Sequence, residues 1–177
     1  MTELSTIAQS YYDRYAYPEW LRAHSGIVGR LATLLAGAHA AAGADIDPAI
    51  VGLGGYLHDI GKSPRLVSDR RPHHVLGPLV LAAEGRPDLA ELSRRHPVYA
   101  PHDPAIAPRS LAERIVYYCD RRAGQSVVTL EERIDEQLAR NPDHAHQRDA
   151  DLAAARAIET EVFRGIGLRP ADLAGER

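Results

Sequence analysis

The chain has 177 residues, 45% hydrophobic and 25% charged, with a formal net charge of −3 at pH 7; this fits one globular domain with its own core and excludes a disordered chain. The small negative charge gives no global attraction to nucleic acid or to an anionic membrane. The single cysteine, Cys119, excludes an intrachain disulfide and a cysteine-based zinc site.

Helical spacing dominates and strand alternation is nearly absent, so the expected fold is all-α. Residues 1–17 read as an N-terminal helical segment, with Tyr11, Tyr12, Tyr15 and Tyr17 as a packing stripe and Trp20 as an anchor to the core. The start, Met-Thr-Glu-Leu-Ser-Thr, lacks the basic-then-apolar layout of a secretory signal. The weakly polar stretch Leu31 to Ala44 is too short for the ~20 apolar residues of a membrane span, and the expectation is a cytoplasmic protein. Pro18 opens a helix in which Leu21, His24, Val28, Leu31 and Leu35 recur at three and four, fading near Gly43. Asp47-Pro48 reads as an N-cap and first-turn proline, opening a helix toward Asp59 that Gly61 and Pro64 stop.

Residues Ser63 to Pro72 read as a polar, basic loop carrying Arg65, Arg70 and Arg71. A short helix follows His74, and another runs from about Pro87 to His96, where Pro97 ends it. Prolines 97, 101, 104 and 108 mark a surface loop. Ser110-Leu-Ala-Glu113 is a capping box that opens a helix through Cys119, Asp120 and Arg121; Thr129-Leu-Glu-Glu132 is a second, whose helix ends before Asn141-Pro142. A last helix spans about Ala150 to Arg164. Residues 18–125 form the core in this reading, with 126–177 completing the same domain. His39, His102, His144 and His146 read as surface residues, and Cys119 as a buried small hydrophobe.

The chemistry gathers around His58-Asp59. These residues end a helix, and Gly61 lets the chain turn away and leave that end open. His24 interrupts an apolar stripe, and Asp120 borders the inward face of its helix, where a buried carboxylate is costly without a compensating cation or hydrogen bonds. Inward imidazoles and carboxylates drawn from separate helices suit a metal site in a bundle. His74 and His96 fit a second ion, with Asp59 as the bridge. Lys62 stands out because it is the only lysine among 21 basic residues. Its compact ammonium suits one phosphate oxygen.

His24, then His58-Asp59-Ile60-Gly61-Lys62, then Asp120 within Glu113-Arg-Ile-Val-Tyr-Tyr-Cys-Asp-Arg-Arg122, resembles the HD-domain superfamily of metal-dependent phosphohydrolases, in its stand-alone HDIG form. The resemblance implies a single-domain helical bundle binding a divalent cation at His24, His58, Asp59 and Asp120. It also implies a second ion at two further histidines; His74 and His96 match those places, with His73 a neighbouring candidate of poorer offset to the next glycine. No Gly-Tyr-Pro follows His96, which argues against the cyclic-dinucleotide phosphodiesterase branch, and Pro97-Val-Tyr-Ala-Pro-His102 departs from the histidine-rich stretch of other dinuclear branches.

The expected activity is hydrolysis of a phosphate ester or anhydride of a nucleotide or small phosphorylated metabolite, using one or two ions of Fe, Mn, Mg, Co or Ni. Asp59 and Lys62 are the expected catalytic residues. Lys62, Arg65, Arg70, Arg71, Arg121 and Arg122 are the expected substrate contacts. A mixed-valent di-iron oxygenase and a non-catalytic nucleotide-binding module are the alternatives. Nucleic-acid and membrane partners are not expected, and a homo-oligomer is admitted.

Overall fold

Eight α-helices carry the fold in the computed structural model, which describes residues 2–140 and 142–175. They are α1 (Glu3–Arg14), α2 (Glu19–Ala41), α3 (Pro48–Leu57), α4 (His73–Ala83), α5 (Ala90–Arg94), α6 (Leu111–Arg122), α7 (Leu130–Arg140) and α8 (Arg148–Val162). Among the described residues there is no strand, only an isolated bridge between Ala123 and Val127. The fold is all-α, and none of its described helices is long and apolar enough to cross a membrane.

Local chemistry sets the helix starts. Asp47 caps α3, accepting from the Ala49 amide at 2.8 Å. Ser110 and Glu113 close the expected capping box on α6, and Thr129 and Glu132 do the same for α7. Each such cap contributes about 1 kcal/mol. The helix expected from Pro87 divides into a 3₁₀ turn, Pro87–Leu89, and the short α5. The helix expected after His74 begins one residue earlier, at His73.

The core is organised around α2, which lies along α3 and also packs on α6. Leu21, Val28, Leu31 and Leu35 of its inward stripe are fully buried, each such side chain contributing ~1.5–3 kcal/mol. Close approach of α2 and α3 requires small residues: a Cβ on Gly29 would fall 2.3 Å from the Tyr56 ring, and one on Gly55 3.0 Å from the Val28 carbonyl. That closeness brings His24 and His58 together across the two helices.

Three sequence expectations change here. His39 is buried rather than on the surface, its Nε2 lying 2.7 Å from the Val162 carbonyl and tying α2 to the end of α8. Trp20 does not anchor the N-terminal segment, since it is 48% exposed; buried Tyr12, whose hydroxyl donates to the Tyr56 carbonyl of α3 at 3.2 Å, does that instead. Gly61 is not in the left-handed region. It is small because α4 abuts it: a Cβ there would lie 2.1 Å from the His73 carbonyl oxygen. His102 and His146 are exposed as expected, and the side chain of His144 lies outside the described residues.

Gly61→Ala is therefore expected to cost about 1–3 kcal/mol by overpacking. Gly37→Ala, within α2 and with no atom within 4 Å of its Cβ position, is expected to stabilise by about 0.5–1 kcal/mol. Urea unfolding of the two variants checks both signs.

Candidate metal centre

Four elements deliver the central side chains. His24 comes from the second turn of α2, His58 and Asp59 from the C-terminal end of α3, His96 from just beyond α5, and Asp120 from the last turn of α6. All five are buried, with exposures of 4% or less.

Hydrogen bonds fix which face of each imidazole is free. Nδ1 of His24 lies 3.1 Å from the Ala123 carbonyl, that of His58 2.8 Å from Gly55, and that of His96 2.6 Å from Ser93. A carbonyl only accepts, so each Nδ1 carries the proton, and in the neutral ring Nε2 presents a lone pair. These Nε2 atoms point into one space. His24 and His58 face each other at 3.3 Å, and His73 and His96 at 3.1 Å. Lone pairs so placed repel unless a cation or a proton stands among them.

Asp59 divides that space in two. Its Oδ2 lies 3.6 Å from His24 Nε2 and 3.4 Å from His58 Nε2, while its Oδ1 lies 3.2 Å from His96 Nε2 and 3.7 Å from His73 Nε2. Asp120 Oδ1 completes the first group, 3.2 Å from His24 and 3.8 Å from His58. Asp59 Oδ1 is buried and finds no hydrogen-bond partner of good geometry among the described residues, a costly state for a carboxylate oxygen that a cation would relieve.

The electrostatics agree with the geometry. Burial opposes ionisation of both acids, yet Lys62 and His58 hold Asp59, and Arg121 and His24 hold Asp120, well below the usual carboxylate range. Burial pushes His24, His73 and His96 down, favouring the neutral, ligating ring. Burial acts the same way on His58, but Asp59, Asp120 and the Gly55 carbonyl outweigh it and raise that group.

The structure brings His24, His58, Asp59, Asp120 and His96 together and corrects the sixth expected ligand. His73, not His74, faces Asp59 and His96; His74 turns its ring edge to Tyr99, 6.0 Å between centroids. Adjacent residues on a helix differ by ~100° in direction, and contact between the His73 backbone and Gly61 sets the phase of α4.

A cavity of about 390 Å³ opens over the cluster. Among its lining residues are Lys62 and Arg121, but Arg65, Arg70, Arg71 and Arg122 are not. The three loop arginines are exposed, and Arg71 is paired with Asp69 at 2.6 Å. Arg122 turns away, donating to the Tyr118 hydroxyl and the Val128 carbonyl. Sequence reading also missed Arg133 of α7. It is buried and lines the cavity, with Nη2 3.4 Å from Asp120 Oδ1 and Nη1 2.6 Å from Glu136. The one available signal was an arginine three residues after Leu130 and next to Ile134, on the apolar side of its helix.

The HD domain family model matches residues 21–124, more than half of the chain. The chain belongs to the HD-domain family. No curated protein and no solved structure gives a match. Family members bind divalent metal ions and are generally metal-dependent hydrolases, and the buried histidine–aspartate cluster of this HD domain is compatible with such an ion. Its donor set of imidazole nitrogens and carboxylate oxygens suits a divalent transition metal. One group, His24, His58 and Asp120, would hold the first ion, and His58, Asp59 and His96 converge as a second candidate set.

Saturation with Mn²⁺ is expected to raise the melting temperature, an ion at 100 times its Kd adding about 2.7 kcal/mol. His73→Ala is expected to lower the metal content at saturation, whereas His74→Ala leaves it intact. The reverse pattern, read by elemental analysis, would return His74 to the ligand set.

Proposed function

We propose that this HD domain hydrolyses a phosphate ester or anhydride of a nucleotide or another small phosphorylated metabolite. One observation carries the reading: inward lone pairs and carboxylates sit beneath a cavity whose wall holds a buried arginine with unfilled donors. A divalent cation bound at the cluster supplies Lewis acidity toward a phosphoryl oxygen and lowers the pKa of water near neutral pH.

The protein's own groups do the rest. Arg121 is 1% exposed and lies over the Tyr117 ring at 5.2 Å. Its Nη2 is engaged by Asp120, while Nε and Nη1 find no partner among the described residues. Unfilled charged donors are expensive in a buried place, and a phosphoryl group offers acceptors that match the guanidinium fork. Lys62 Nζ, 2.7 Å from Asp59 Oδ2, adds a second charge to the cavity lining. Its side chain is 35% exposed, and a lysine's flexible stem suits transfer of the ammonium from the carboxylate to a substrate oxygen. Arg133 braces Asp120 through both its side chain and its carbonyl, at 3.4 and 3.3 Å, keeping that carboxylate directed at His24. Charge spreading over the phosphoryl oxygens in the transition state would therefore be met by cationic groups already beside the cavity.

The test is release of phosphate or nucleotide from mono-, di- and triphosphates, dinucleoside polyphosphates and sugar phosphates, with Mn²⁺ or anaerobic Fe²⁺. Asp59→Ala is expected to abolish it. Arg121→Lys should keep the metal and lower kcat/KM about tenfold or more, since hydrogen bonds to charged groups contribute ~1.5–3 kcal/mol. Lys62→Ala should raise KM or lower kcat without changing metal content, and unchanged kinetics would remove Lys62 from the substrate set. Turnover of none of these compounds with either metal would overturn the hydrolase reading.

A further inference from the structure

Two large aromatic side chains stand open to solvent in the wall of the same cavity. Trp20, the chain's single tryptophan, is 48% exposed, and Tyr99 is 41% exposed. Tryptophan is usually among the more covered residues of a fold, so leaving this one open at a cavity asks for a reason. Both rings stand next to candidate ligands. Trp20 is one helical turn before His24 on α2, which places the two side chains on one face about 6 Å apart along the axis. Tyr99 follows His96 by three residues. The cavity is thus flanked by an aromatic ring from each of two separate elements.

The backbone beneath each ring is braced. Gln125 donates to the Trp20 carbonyl at 3.1 Å. The 3₁₀ turn Ala100–His102 follows Tyr99 directly, and the His74 ring meets Tyr99 edge-on at 6.0 Å. His74, displaced from the metal cluster by His73, thereby has a place in supporting this wall. Gln125 and Gln147 also line the cavity, and an amide side chain both donates and accepts, as the edges of nucleobases require. At about 390 Å³ it has the size of a small-molecule site rather than an orthophosphate pocket.

We infer that Trp20 and Tyr99 clamp a nucleobase by stacking while the phosphoryl group reaches the histidine–aspartate cluster, so that the substrate is a nucleotide rather than a sugar phosphate. The inference rests on the hydrolase reading for the orientation of the ligand, but its fluorescence test does not. A sugar phosphate brings the same charge and no π-face, so stacking separates the two classes.

The single tryptophan makes the clamp observable without turnover. The Mg²⁺-loaded protein, excited at the tryptophan band, is titrated with the four ribonucleoside monophosphates, ribose 5-phosphate and inorganic phosphate. Saturable quenching by nucleotides is expected, with ribose 5-phosphate and phosphate leaving the emission unchanged. Trp20→Leu and Tyr99→Leu should each lower the preference for nucleotide over ribose 5-phosphate, in kcat/KM, by about 5- to 150-fold, the effect of losing one base–aromatic stack. Trp20→Phe should recover part of it. Quenching, together with no turnover of any compound in the phosphate-release panel, would uphold the clamp and sink the hydrolase reading. Hydrolysis with no quenching, and with equal use of ribose 5-phosphate, would overturn the clamp and leave the hydrolase reading standing.

Discussion

The bonds from three imidazole Nδ1 atoms to backbone carbonyls decide what this centre is. With those protons committed, Nε2 of His24 and His96, whose neutral form burial favours, has only a lone pair to offer, as does that of His58 in its neutral form, and the packing aims all three at two carboxylates. Two of the bonds are local, since Gly55 and Ser93 precede their histidines by three residues. The third is not: Ala123 lies 99 residues from His24. His24 therefore acquires its tautomer only when α2 packs on α6, which couples the ligating state of the first group to the formation of the core.

Charge compensation follows from the same arrangement. Asp59 is paired with Lys62, Asp120 with Arg121 and Arg133, and Glu136 with Arg133 and Arg140. With Asp151, the cavity lining holds four carboxylates and four permanent cations. Such a site is close to neutral, and each divalent ion added to it creates an excess of two positive charges. An anionic ligand would then restore the balance, with no need of a basic surface.

Much of this was legible in the sequence because the chemistry conflicts with the local pattern. His24 stands where an apolar residue belongs, and Asp120 sits at the edge of an inward face, so both announce a role. The helix caps at Asp47, Ser110 and Thr129 are read from residue type alone because capping is local. What escaped depends on the relation between elements. Whether His73 or His74 turns inward depends on the phase of α4, which its contact with Gly61 sets. Arg121 and Arg122 look interchangeable in the sequence, yet one faces the cavity and the other Tyr118. Arg133 reads as part of a charged helix until α7 is seen to lie over Asp120. His39 seems a polar residue near a helix end until the end of α8 covers it.

The boundaries of the family match carry a consequence for substrate choice. Residues 21–124 contain every candidate metal ligand, whereas Trp20, Gln125, Arg133, Leu138, Gln147 and Asp151 lie just outside them and still line the cavity. The shared segment builds the floor, and the first turn of α2 together with α7 and α8 builds much of the wall. Metal chemistry constrains the floor tightly, because ligand type and direction leave little freedom. The wall has no such constraint, and a change in α7 or α8 can alter what the cavity accepts without disturbing an imidazole. Several residues that decide what the cavity accepts thus lie on α7 and α8, apart from the segment that carries the candidate metal ligands.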